Sequence, residues 1–152
     1  MGNSINMGDL YEAMTRAFDL EPKQTEQYSP LTLAYIGDCV YELIIRTKLV
    51  CQMNAPVDKL NRVGSTWAKA ATQSRIIEAV TGMLTDEELA VYKRGKNAHT
   101  ANRSRSATAG EYRRATGFES MIGYLYIKNE FDRIMEIVKA GFEAAGGKNE
   151  IQ

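Results

Sequence analysis

After Ser29-Pro30 the chain runs to Leu49 without another proline, and Leu33, Ile36, Gly37, Val40, Leu43 and Ile44 recur within that stretch at three- and four-residue spacing. This period belongs to one face of an α-helix, not to the two-residue alternation of a strand. Ser29 and Pro30 supply the start: a serine hydroxyl accepts from the free N–H groups of the first turn, and proline takes a position that needs no N–H. A helix of that length with one apolar face has to be covered by other elements, so it belongs at the centre of a core.

The remaining segments follow the same period. Three prolines in 152 residues and no sustained apolar–polar alternation point to an all-α fold. A turn at Asn54-Ala55-Pro56 leads to a short helix from Asp58 to Val63. An alanine-rich helix follows from about Thr66 to Val80, anchored by Trp67, Ala71 and Ile77, with Gly82 ending it. Thr85 and Glu88 are spaced as a capping box and open a helix to about Arg94, after which Gly95 is expected to break the chain. Residues Lys96 to Gly110, poor in large apolar side chains, form a flexible basic loop (96–110). A long helix runs from about Glu111 to Lys128, and with Asn129 as cap the last runs to about Ala145, closed by Gly146-Gly147. A further helix is expected ahead of Glu21-Pro22, and no function is rested on residues 1–28. The length suits a single domain spanning residues 1–152.

Hydrophobic residues at 44% and charged residues at 25% are values of a soluble globular protein. The longest apolar runs stop well short of a bilayer span. The N-terminus lacks the basic-then-apolar pattern of a secretory signal, which leads to the expectation of a cytoplasmic protein. Cys39, Cys51 and His99 form neither a Cys-x-x-Cys pair nor a zinc-ligand spacing. The net charge of zero conceals an asymmetry. Seven acidic residues face two basic ones between Asp9 and Glu42, whereas Lys93, Arg94, Lys96, Arg103, Arg105, Arg113 and Arg114 face Glu111 alone in the later segment. The basic segment suits an anionic partner.

Two carboxylates stand in otherwise apolar helices: Asp38 in Tyr35-Ile36-Gly37-Asp38-Cys39-Val40, and Glu119 in Thr116-Gly117-Phe118-Glu119-Ser120-Met121. A charge among core residues is costly unless paired or ligated, and Gly37, Gly117 and Gly123 allow the two helices to come close. Two such groups suit magnesium, which takes a few carboxylate oxygens and keeps several waters for a substrate phosphate. The alternative is that each pairs with a lysine or arginine at the edge of the core, and spacing alone leaves both open. Glu42, one turn after Asp38, and Asp58 are reserve candidates, with a solvent-facing glutamate the simpler reading of Glu42. His99 reads as a surface histidine. Tyr35, Tyr41, Tyr124 and Tyr126 read as core or interface residues, with no RNA contact assigned to them.

Leu33-Ala34-Tyr35-Ile36-Gly37-Asp38-Cys39-Val40 resembles the signature of the ribonuclease III family, and Phe118-Glu119-Ser120-Met121-Ile122-Gly123 is similar to its second acidic motif. Lys93-Arg94-Gly95-Lys96-Asn97-Ala98 resembles the basic motif of Mini-ribonuclease III, the form with a catalytic domain and no double-stranded-RNA-binding domain. The resemblance spans about Pro30 to Phe142. It implies a homodimeric, magnesium-dependent endoribonuclease that cuts double-stranded RNA to 5′-phosphate and 3′-hydroxyl ends, with maturation of the 23S ribosomal RNA precursor as its task. It leaves open whether a ribosomal protein presents that RNA. Carried over by residue, the metal-binding catalytic pair is Asp38 and Glu119. The chain departs from the family pattern where the two signature glutamates fall on Leu31 and Ala34, and where the acid three before Glu119 falls on Thr116. Water, the Thr116 hydroxyl or a substrate phosphate then completes the Mg2+ shell. Lys93, Arg94, Lys96, Asn97, Arg103 and Arg105 are the residues expected on the RNA backbone. The thinned carboxylate set keeps a second reading open, a non-catalytic RNA-binding or ribosome-assembly protein on the same fold. A third is an interaction domain whose acidic and basic halves pair between subunits.

Overall fold

The computed structural model describes residues 7–98 and 108–146. Among them it has no strand, and the helices are α1 (Met7–Ala17), α2 (Pro30–Gln52), α3 (Val57–Ala68), α4 (Ala70–Val80), α5 (Asp86–Lys96), α6 (Ala109–Ile127) and α7 (Phe131–Gly146). Single 3-10 turns lie at Thr25–Gln27 and Thr81–Met83. The all-α expectation holds, and no described helix is long and apolar enough to cross a membrane.

Helix α6 is the centre, packed against α2, α5, α4 and α7. From Ala115 to Leu125 every residue is buried except Glu119. A helix enclosed on all sides has no polar face to give to solvent, so Phe118, Met121, Ile122 and Leu125 point in different directions and all reach full burial. Each contributes roughly 1.5–3 kcal/mol. An aromatic cluster joins the other layers to it. The Tyr41 ring meets Phe118 edge-on at 5.3 Å, Phe142 stacks at a tilt on Trp67 at 4.9 Å, and the Tyr41 hydroxyl donates to the Trp67 carbonyl at 2.6 Å.

Helix α2 starts where expected, with Thr32 N donating to the Ser29 hydroxyl at 3.2 Å and proline at the first position. The Thr85–Glu88 capping box forms too, and Glu88 has a second task. Its buried carboxylate takes two hydrogen bonds from Arg133 of α7, at 2.8 and 2.9 Å, which ties the start of α5 to the last helix.

Several boundaries differ from expectation. The segment Thr66–Val80 is not one helix: the chain breaks at Lys69, whose ψ of 155° is extended, and Trp67 belongs to α3. Gly95 does not end α5, which continues through Lys96. It is there because a Cβ at Gly95 would collide with Ser120 and the backbone of Gly117, so glycine serves the close approach of α5 to α6. Asn129 closes α6 instead of opening α7. With φ at 61° it takes the left-handed conformation that asparagine tolerates, while Asn129 N donates to Tyr126 O and Glu130 N to Leu125 O, both at 2.9 Å. Most of the expected 96–110 loop lies outside the described residues.

Candidate active site

Asp38 and Glu119 are brought together by glycine. A Cβ added at Gly37 would collide with the Glu119 carbonyl and lie 2.8 Å from Gly123 N, and one at Gly123 would collide with the Leu33 carbonyl. Helices α2 and α6 therefore cross backbone to backbone, a separation that only residues without side chains permit. Ser120 pins the crossing from within: its fully buried hydroxyl is 2.8 Å from Pro30 O and 2.9 Å from Thr116 O. Asp38 follows Gly37 on α2, and Glu119 presents its own carbonyl to that glycine.

The two carboxylates line one cleft of about 870 Å³ together with Leu31, Ala34, Tyr35, Glu42, Arg46, Tyr112 and Thr116. Burial first, and then the adjoining Asp38 carboxyl, push the Glu119 carboxyl well above the ordinary carboxylate range. Gln73 works in the other direction, its Nε2 donating to Glu119 Oε2 across 3.4 Å. Two carboxyls this close repel as anions, and either a shared proton or a cation relieves the repulsion.

The donor set fits magnesium of low protein coordination. Hard oxygens come from Asp38 and Glu119. Thr116 Oγ1 spends its proton on the Tyr112 carbonyl at 3.0 Å, so toward the cleft it offers only acceptor capacity. Among the described residues no three acidic, histidine or cysteine side chains gather as a metal cluster. Leu31 and Ala34, at the two positions where the resemblance places glutamates, line the same cleft with carbon.

Glu42 lines the cleft instead of facing solvent alone, but its carboxylate is 3.1 Å from Arg46 Nη2. Asp58 is exposed in the first turn of α3, away from the cleft lining. Lys93, Arg94, Lys96 and Asn97 lie in or next to the last turn of α5, where positive charge also complements the negative end of the helix. The structure thus places Lys96 on a helix, not in the expected loop, with its Nζ 6.0 Å from the centre of the Tyr92 ring. Lys93, Arg94 and Asn97 are exposed, while Gly95 between them packs on α6 at Gly117 and Ser120, beside Glu119. Arg103, Arg105 and His99 lie outside the described residues. Tyr35, read as core or interface, is not core, being 83% exposed. Sequence reading missed Gln73, Arg46 and Tyr112. Thr72, Gln73 and Ser74 of α4 are all buried, but in the sequence they are followed directly by Arg75 and carry no mark that sets them apart from a polar helix face.

Comparison with known proteins agrees with this architecture. Residues 31–130 match the profile of the family described as "Ribonuclease III domain". Mini-ribonuclease 3 of Clostridium tetani is 44% identical over 115 residues, covering 75% of this chain and 76% of that protein. The protein of the same name from a Thermoanaerobacter species is 40% identical over 111 residues, covering 73% and 78%. A crystal structure of a Fusobacterium nucleatum protein superimposes with a TM-score of 0.71 at 32% identity, covering 77% of this chain and 90% of that one.

Proposed function

Because the chain belongs to the ribonuclease III family and is an endoribonuclease, we propose that it is a homodimeric, magnesium-dependent, cytoplasmic enzyme of one catalytic domain that cuts double-stranded RNA. Its substrate on this reading is the 23S ribosomal RNA precursor, and its products carry 5′-phosphate and 3′-hydroxyl ends. The observation that carries the proposal is the meeting in one cleft of Asp38 and Glu119, eighty-one positions apart in the chain.

Asp38 and Glu119 would hold the cation. When bound, magnesium supplies Lewis acidity toward a phosphate oxygen and lowers the pKa of a coordinated water. Thr116 Oγ1, its proton committed to Tyr112 O, serves as an acceptor that orients water at the cleft wall. Leu31 and Ala34 offer no charge where further carboxylates would repel the phosphodiester. Lys93, Arg94, Lys96 and Asn97, with Arg103 and Arg105, contact the phosphates and 2′-hydroxyls of A-form RNA. A two-fold dimer matches the two antiparallel strands of a duplex, one cleft to each.

The test is cleavage of a duplex RNA by wild type, Asp38→Asn and Glu119→Gln, with magnesium and with chelator. Wild type should cut only with the cation, and both variants should bind duplex RNA without cutting it. Undiminished cutting by Asp38→Asn, or by wild type in chelator, would refute the proposal. Sedimentation of the protein as a monomer at micromolar concentration would refute the dimer.

A further inference from the structure

We infer that Gln73 is a positioning residue for Glu119, an amide whose buried N–H holds the carboxylate in the orientation a divalent cation requires. The inference deepens the endonuclease reading of the Asp38 and Glu119 pair and rests on it.

Gln73 comes from α4 and is 2% exposed. Its Nε2 donates to Ala68 O at 2.9 Å and to Glu119 Oε2 at 3.4 Å. The Ala68 carbonyl can only accept, as Glu119 does when ionised, so the amide has one workable orientation: turned over, its carbonyl oxygen would face the Ala68 oxygen. The Ala68 carbonyl is the last of α3, freed by the chain break at Lys69. Bonding to it fixes the amide, and the second N–H is thereby aimed at Glu119. The break between α3 and α4, which looks like an irregularity of the fold, places a neutral donor behind the site.

The other end of the side chain argues the same way. Oε1 of Gln73 is buried without a hydrogen-bond partner among the described residues. An apolar side chain of similar shape would fill the space without that orphan acceptor, so what the amide adds is the pair of bonds made by its nitrogen. Gln73 is absent from the cleft lining and reaches the chemistry only through Glu119. Outer hydrogen bonds of this kind fix the rotamer of a metal-binding carboxylate, and their loss commonly weakens metal binding ten- to a hundredfold.

The experiment uses the full chain and Gln73→Met, which keeps length and volume and removes the amide. Mn2+ binding is measured by electron paramagnetic resonance without RNA, and kcat and KM for a duplex RNA are measured across magnesium concentrations. The expected result is Mn2+ binding about tenfold weaker or more, a matching fall in kcat at low magnesium that excess magnesium restores, and an unchanged KM for RNA. A merely structural role would lower the melting temperature without rescue by magnesium. Should Gln73→Met fail to fold, the wild-type protein decides: the Gln73 side-chain NH2 resonances should shift on magnesium titration, and not in Asp38→Asn.

Gln73→Met that binds Mn2+ and cuts RNA within twofold of wild type overturns the inference. So do side-chain resonances that stay still while backbone amides near Asp38 and Glu119 move. A wild-type protein that neither binds the cation nor cuts the duplex overturns the reading of the site itself, a distinct outcome.

Discussion

Replacing Gly37 with alanine tests whether contact between α2 and α6 builds the site. Helix propensity by itself favours alanine at an interior helical position by about 1 kcal/mol. Against it stands the added Cβ, which would collide with the Glu119 carbonyl oxygen and lie 2.8 Å from both Glu119 C and Gly123 N. Overpacking costs about 1–3 kcal/mol where side chains can move. Here the obstructing atoms are backbone of the most enclosed helix, so the cost belongs at about 3 kcal/mol or above, and the net loss at about 2 kcal/mol or more. For a chain of this length that lowers the melting temperature by about 4–8 °C. The strain is relieved by moving α2 off α6, and a displacement of about 1 Å between reacting groups costs on the order of a hundredfold in rate. Urea denaturation and a duplex-cleavage assay read the two effects. Gly82→Ala is the matched control, since nothing lies within 4 Å of its added Cβ, and it should be neutral or slightly stabilising. Gly37→Ala as stable and as active as wild type would refute the account of the crossing.

Breaking the buried Glu88–Arg133 pair by Glu88→Gln should cost about 2–4 kcal/mol near neutral pH, read by denaturant titration. Hydrogen bonds from Arg133 foremost hold the Glu88 carboxyl below its ordinary value, so its stabilisation is complete above the unfolded pKa of about 4.3 and is lost as pH falls through the folded one. The gap between wild type and Glu88→Gln should therefore start to narrow as the pH falls below about 4.3 and go on narrowing through the folded pKa, and a gap that stays constant as the solution is acidified through that range would contradict the assignment. Lys93→Ala and Arg94→Ala should each weaken RNA binding alike across sequences and lower the slope of log affinity against log salt by about one, while leaving kcat at saturating RNA near wild type. Unchanged salt slopes would remove these two residues from the RNA interface.

Much of the fold was legible because its signals are local. Ser29-Pro30 caps α2, and Thr85 with Glu88 starts α5, through groups a few residues apart. One local signal went unread: Thr108 and Glu111 form a further capping box, so α6 begins at Ala109 and not at Glu111. Features that depend on distant partners were not legible. Gly95 reads as a helix breaker until α6 is seen against it. The break at Lys69 is sustained by side chains of the next helix, Thr72 on Thr66 O and Gln73 on Ala68 O, and an alanine-rich pattern carries no sign of that. At the site, two carboxylates amid apolar residues marked Asp38 and Glu119 for attention. Their partner Gln73 looked like any polar residue on a helix, because its role depends on burial against α6.

The most direct measurement is a crystal structure of the chain with duplex RNA and Mn2+, read from the anomalous scattering of the metal. A peak bonded to one oxygen from Asp38 and one from Glu119, facing an RNA phosphate, is the expected result. Metal bound elsewhere against the scissile phosphate, with the two carboxyls left sharing a proton, would contradict the assignment of these residues as the metal-binding pair.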